Sequence, residues 1–359
     1  MSNTKPLRII RSSAPHRIND IGGWTDTWFS GEGKVLNLAV SPSVEVHIKV
    51  FENNENQKER VSVHVKDYGD TFLLNPEKPS YDVHPLLQAS INSVSIPEEL
   101  KLEISIISHM PAGISVGTSA SVCVALLGGL SNLSSQQHSL ELDGIVSLAH
   151  RVETEKLGLQ SGIQDQICAA YGGVCFIHMH QYPEAHIEKL SLPEEVKQEL
   201  EERLSLIYLG KSHSSSGIHQ EVIALLEKGG PQFSEIRRLR ELAEKAKECL
   251  LRGELEQYGE AMVGNNECQR SLHPGLICEE ADIIIGCAKK YDAAGWKVNG
   301  AGGKGGSLTI LGSKDEEKRR HMLKAINLLG TGIKSLPISL SQEGLEIREE
   351  NYFIGVGPC

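Results

Sequence analysis

Alternation of apolar and polar positions dominates the first hundred residues. Leu7 to Arg11, Val44 to Val50 and Val61 to Val65 each run with period two and are rich in β-branched residues, which predicts strands. The polar stretch ENNENQKER between the last two predicts a hairpin loop. Residues 83–95 predict a short helix. Leu102-Glu103-Ile104-Ser105-Ile106 predicts another strand, running into a loop from His109 to Gly117. Beyond that loop the period changes. Residues 118–131 are small and apolar almost all round, as in a buried helix. Residues 139–157 predict a second helix, with Leu142, Ile145, Val146 and Ala149 on one face. A short helix is expected after Asp165, then a strand from Gly172 to His178.

The polar residues 192–203 connect to a strand from Leu204 to Leu209. Residues 233–252 carry a helical pattern with a charged outer face and a stop at Gly253. Helices are also predicted over 254–266 and 277–291. The strand-like Gly295-Trp296-Lys297-Val298-Asn299 leads through a glycine loop to Ser307-Leu308-Thr309-Ile310-Leu311. The pattern is α+β, and it predicts two domains, 1–200 and 201–359.

Composition narrows the partners. The 359 residues suffice for two cores, and 40% hydrophobic with 23% charged residues is globular. A net charge of −11 with no basic run argues against nucleic acid and against an anionic membrane surface. Eight cysteines without a Cys-x-x-Cys pair predict free thiols in a reducing cytoplasm. The first residues lack the apolar core of a signal peptide. No run of about 18 apolar residues offers a membrane span. The expectation is a cytoplasmic protein acting on small molecules, as monomer or homodimer.

Two loops have the composition of phosphate cradles. Pro111-Ala112-Gly113-Ile114-Ser115-Val116-Gly117-Thr118-Ser119-Ala120-Ser121 lies between a strand and a helix. Its small residues allow backbone amides to approach an anion at a helix start, and Thr118 and Ser119 add hydroxyls suited to magnesium or phosphate. The competing reading is an ordinary helix cap. The second loop, Gly300-Ala301-Gly302-Gly303-Lys304-Gly305-Gly306, holds five glycines in seven residues. Its G-x-G-x-x-G match precedes a strand instead of opening a helix, which excludes a dinucleotide fingerprint. No Walker A sequence is present.

Four motifs in order resemble those of the GHMP kinases, the family of galactokinase, homoserine, mevalonate and phosphomevalonate kinases. Pro15-His16-Arg17-Ile18-Asn19-Asp20-Ile21-Gly22-Gly23-Trp24-Thr25-Asp26 is similar to the galactokinase signature P-G-R-V-N-L-I-G-E-H-T-D. The 111–121 loop is similar to P-x-G-x-G-L-G-S-S-A-S, and the 300–306 loop to G-A-G-G-G-G. Ser161-Gly162-Ile163-Gln164-Asp165-Gln166 resembles the catalytic S-G-x-x-D-Q. The resemblance spans residues 15 to 306. It implies an N-terminal α+β ATP-binding domain and a C-terminal ferredoxin-like domain.

It further implies ATP as donor with Mg2+, Asp165 as catalytic base and Arg17 as its electrostatic partner. ATP would lie on Pro111, Gly113, Ser115, Val116, Gly117, Thr118, Ser119 and Ala120. Thr118, Ser119 and Glu153 would hold the metal, with Glu155 as the alternative acid. Where galactokinase has Glu-His, this chain has Gly23-Trp24. The run Gly22-Gly23-Trp24-Thr25-Asp26-Thr27 resembles the fucokinase branch (G-G-W-S-D-T) and the heptose-7-phosphate kinase branch (G-G-G-T-D). The acceptor implied is therefore a sugar, bound by Gly23, Trp24, Asp26, Gln164, Gly302 and Gly303. Lys304 and the run Lys211-Ser212-His213-Ser214-Ser215-Ser216 are further residues that the acceptor or a phosphate could reach.

Overall fold

The alternating segments assemble around one long pair of strands. The computed structural model describes residues 5–54, 57–67, 69–133, 140–212, 216–229, 233–330 and 332–351. Strands β1 (Arg8–Ile21) and β2 (Gly33–Glu52) pair antiparallel along most of their length. In the second half of β2, Val44, Val46, Ile48 and Val50 point inward and the residues between are more exposed, so one face meets solvent. Its first half, and the end of β1, are buried on both faces because a second layer covers them.

The chain continues through β3 (Val61–Val65), β4 (Asp70–Leu74), α1 (Pro85–Ile91) and β5 (Leu100–Ile107). The expected hairpin at 52–60 does not form. Strand β5 inserts between β2 and β3, pairing antiparallel with the first and parallel with the second. Leu102, Ile104 and Ile106 are buried, as a central strand requires. Periodicity assigned these strands correctly but carried no information about their neighbours.

Helices α2 (Thr118–Ser131), α3 (Leu142–Arg151) and α4 (Gln164–Tyr171) cover this sheet. The helical pattern of 139–157 is split: α3 passes into a π-helical turn at Val152–Lys156. Strands β6 (Val174–Gln181) and β7 (Glu184–Lys189) extend the sheet from β2. The polar 192–203 stretch contains a helix, α5 (Glu194–Arg203), with Glu194 and Glu195 in its first turn and Leu200 and Arg203 buried.

The second sheet contains β8 (Leu204–Leu209), β9 (Gly295–Val298), β10 (Ser307–Leu311) and β11 (Ile333–Leu336). Between β8 and β9 run α6 (Ser216–Glu227), α7 (Phe233–Arg252), α8 (Leu255–Leu272) and α9 (Glu279–Lys290); α10 (Glu316–Asn327) links β10 to β11. The spatial order β11-β8-β10-β9 places the fourth strand beside the first, then the third and second, all antiparallel. This is the ferredoxin-like arrangement.

Leu36, Leu38 and Val40 of β2 share a core with Ala243, Ala246 and Leu250 of α7 and with Tyr258 and Met262 of α8. After β11, β12 (Ser339–Leu340) pairs with β2, and β13 (Glu346–Asn351) pairs with β1. The stretch expected as 201–359 thus gives its last strands to the first sheet. Among the described residues no helix is long and apolar enough to cross a membrane.

Candidate functional site

The two loops with phosphate-cradle composition meet. Helix α2 begins after Gly117, whose left-handed φ of 70° turns the chain, and no side chain caps it. The ordinary-cap reading therefore fails, and the first amides of α2 remain available to an anion. A Cβ on Gly117 would lie 3.1 Å from Arg17 Cγ and 3.2 Å from an Asp165 carboxylate oxygen, so this turn sits directly on that pair. Across the gap, Ser307 Oγ donates to the Ile114 carbonyl at 2.6 Å and ties the 300–306 loop to the 111–117 loop. Between them opens a cleft of about 720 Å3. Arg17, Asp165, Thr118 and Ser119 line it, as do Trp24, Asp26, His219 and Gly300.

Arg17 lies in β1, and its amide donates to the Val116 carbonyl at 2.9 Å. Its guanidinium grips Asp165 at the start of α4 with two bonds, Nε to Oδ1 at 2.6 Å and Nη2 to Oδ2 at 3.1 Å. Nη1 donates to the Ser115 carbonyl at 2.8 Å. Burial opposes the Arg17 charge, but Asp165 and Asp20 more than offset it and raise the guanidinium pKa. Asp165 keeps about a quarter of its side chain exposed and faces the cleft.

Asp26 is buried beside it. Its carboxylate accepts from the Gln164 amide at 3.1 Å, and desolvation pushes its pKa up to about 6. Gly162 passes so close that a Cβ there would fall 2.1 Å from Asp26 Oδ2. Trp24 adopts a φ of 76°, unusual for a bulky residue, and its ring meets His219 of α6 at 4.9 Å. These two rings form one wall of the cleft. Trp24 also belongs to the apolar cluster of α6, α7 and α8, so the wall is backed by core.

Glu153 is the buried acid of the π-helical turn. Ser161 Oγ donates to it at 2.6 Å and Gln166 Nε2 at 2.8 Å, both at Oε2. Desolvation raises its pKa to about 7, and the Asp165 charge adds to this. Glu155 is exposed and lies 4.0 Å from Arg151. Glu153 does not line the cleft itself and meets it through Ser161, which does; a desolvated acid lacking a paired cation suits a divalent ion, and π-turns recur at functional sites. Among the described residues no three His, Cys, Asp or Glu side chains cluster as a metal cage. Magnesium here would need phosphate oxygens as its main ligands.

Of the other expected residues, Pro111, Gly113, Ser115, Val116 and Gln164 line the cleft. Ala120 is buried in α2; Gly23, in a turn closed by its amide on the Asp20 carbonyl at 3.1 Å, does not line the cleft itself but packs against Asp20 and Gln164, which do. Gly302 and Gly303 are drawn off to residues 276–277: the Gly303 amide donates to the Leu276 carbonyl at 2.9 Å, and Gly300 and Ala301 face the cleft instead. Lys304 is exposed outside it, and Lys211 pairs with Glu280 at 2.5 Å. His213, Ser214 and Ser215 lie outside the described residues. Asp20, Lys297 and His219 were not expected. A lysine in a short alternating strand reads as solvent-facing, so only the partnership with β1 reveals Lys297.

The profile of the GHMP kinases N terminal domain matches residues 85–173. A mevalonate kinase of Thermococcus onnurineus is 31% identical over 257 residues, 68% of this chain and 69% of that protein. The bifunctional fucokinase/GDP-fucose pyrophosphorylase of Arabidopsis thaliana is 27% identical over 88% of this chain, which spans only 31% of that longer protein. Among solved structures, a D-glycero-D-manno-heptose 1-phosphate kinase from Bacteroides thetaiotaomicron superposes with a TM-score of 0.73 at 20% identity, covering 96% of this chain and 99% of the other. The chain belongs to the GHMP kinase family.

Proposed function

We propose that this chain transfers the γ-phosphoryl group of ATP to a sugar hydroxyl, the anomeric hydroxyl of a fucose-like hexose or of a manno-heptose phosphate. The observation that carries the reading is the Arg17–Asp165 pair, held where the two glycine loops meet. The uncapped start of α2 and the 111–117 loop receive the ATP phosphates. Asp165 accepts the proton of the acceptor hydroxyl as its oxygen bonds to the γ-phosphorus and the bond to the ADP oxygen breaks. Arg17 orients Asp165 through two hydrogen bonds and opposes the negative charge that develops in the transfer.

Magnesium, held by Glu153 with Thr118 and Ser119, would neutralise phosphate charge. Asp26 accepts from acceptor hydroxyls, and the Trp24–His219 wall covers an apolar sugar face. The likeness to a mevalonate kinase supports a second reading, with a mevalonate-type acceptor.

ATP consumption measured over fucose, other hexoses, manno-heptose phosphates and mevalonate separates them, with NMR of the product to locate the phosphate. The expected result is one sugar phosphorylated at the anomeric carbon. Turnover of mevalonate alone establishes the second reading. Tight ligand binding with no acceptor-dependent ADP rules out a kinase.

A further inference from the structure

Lys297 is fully buried in β9, in the sheet opposite the catalytic pair. Its Nζ donates to Asp20 Oδ1 at 2.8 Å and to the Val298 carbonyl at 2.9 Å. The Gly300 amide donates to the same Asp20 oxygen at 3.0 Å. Asp20 is itself almost fully buried, and its Oδ1 lies 3.7 Å from Arg17 Nη1. Arg17 thus stands between two carboxylates. It bonds Asp165 through two nitrogens and approaches Asp20 without a close bond. Burial works against the Asp20 charge, yet Lys297 and Arg17 hold its pKa below the usual carboxylate range.

A buried carboxylate left without its own cation would draw the nearest guanidinium toward it. We propose that Lys297 is a positioning residue: by satisfying Asp20 from the second sheet, it leaves Arg17 to Asp165 and so sets the catalytic pair. The same contact fixes Gly300 at the cleft mouth, so one lysine couples the glycine loop of one unit to the base of the other. This inference rests on the reading of Asp165 and Arg17 as the catalytic pair.

The test compares Lys297→Met, Asp20→Asn/Lys297→Met and the wild type, all in the full chain. The first readout needs no acceptor: the Arg17 Nε–H proton signal in NMR, assigned by its loss in Arg17→Lys. In the wild type it should be a slowly exchanging signal shifted by its carboxylate partner. Lys297→Met should shift or broaden it, and the double variant should restore it. The second readout is turnover with the best acceptor of the panel. Lys297→Met should lower kcat at least tenfold, with KM for ATP changed less than threefold, and the double variant should return to within about threefold of wild type.

If Lys297→Met does not fold, the double variant decides alone. A structural role without positioning would lower thermal stability while leaving the Arg17 signal and the kcat of folded protein in place. The proposal is overturned by an unchanged Arg17 signal in Lys297→Met. A double variant that fails to fold, or folds without regaining signal and turnover, also overturns it. If no acceptor on the panel turns over, the sugar-kinase reading fails, and the NMR comparison still decides the positioning role.

Discussion

Asp165 and Glu153 are two buried-edge acids that the site asks to do opposite things. Asp165 is gripped by Arg17 through two hydrogen bonds; Glu153 has hydrogen bonds but no paired cation, and desolvation lifts its pKa to about 7. Asp165→Asn should preserve ATP affinity by calorimetry while lowering kcat about a hundred- to ten-thousandfold, the usual scale of general acid–base catalysis. Retention of most of the turnover would show that Asp165 does not act as the base. In the proposed role Glu153 would have to lose its proton to hold Mg2+. Because its pKa is raised, that proton is retained below about pH 7, so Mg2+ affinity should fall about tenfold for each pH unit below it. Glu153→Gln should weaken the metal at high pH and flatten this dependence, measured by titrating Mg2+ into the protein with a non-hydrolysable ATP analogue. The pairing of Arg17 with Asp165 was legible in the sequence because each sits in a motif whose spacing matches the family. Asp20 and Lys297 were not, since their meaning is a contact between residues far apart in the chain that no local period encodes.

At the scale of elements, segments with a strong period were legible and their partners were not. The small, apolar run at 118–131 became α2 with the same limits, because a helix buried all round leaves an unbroken signal. The hairpin expected at 52–60 failed because alternation marks a strand's faces and leaves its edges unspecified. The 300–306 loop has the composition of a phosphate cradle, but its inner glycines serve residues 276–277 while Gly300 and Ala301 meet the cleft. The loop preceding α4 shows how tightly such segments are specified. A Cβ at Gly162 would overlap Asp26, whose carboxylate already accepts from the Gln164 amide. Gly162→Ala should therefore displace Asp26 and raise KM for the acceptor at least tenfold. ATP binding should stay within about threefold, since the overlap is with Asp26 and not with the 111–119 segment. Steady-state kinetics in each substrate, with calorimetry for ATP, separates the two ends of the cleft. An unchanged acceptor KM would remove Asp26 from the acceptor site.

At the scale of the whole molecule, the chain end closes what the first motif opens. After the second sheet is complete, Ser341 donates through its amide to the Ala39 carbonyl at 2.9 Å, and the Gly173 amide donates to the Ser341 carbonyl at 2.8 Å. The Leu345 amide donates to the Ala170 carbonyl at 3.0 Å, and the Leu345 side chain seats against Gly128 of α2. These contacts clamp the far end of α4, whose first turn carries Asp165, and they touch the helix whose start faces the cleft. β13 then completes the edge of β1, the strand that carries Arg17. Removing the residues after Ile338 would leave β1 as a bare edge and free the end of α4. The shortened chain should melt at least about 5 °C lower by calorimetry, as expected for the loss of a few kcal/mol in a chain of this size. It should also lose turnover more steeply than stability, because Arg17 and Asp165 both sit on elements the tail holds. A peptide of residues 337–351 added in trans should restore part of both by pairing with β1. A shortened chain with unchanged melting temperature and turnover would show that the first sheet and α4 hold Arg17 and Asp165 together without the tail.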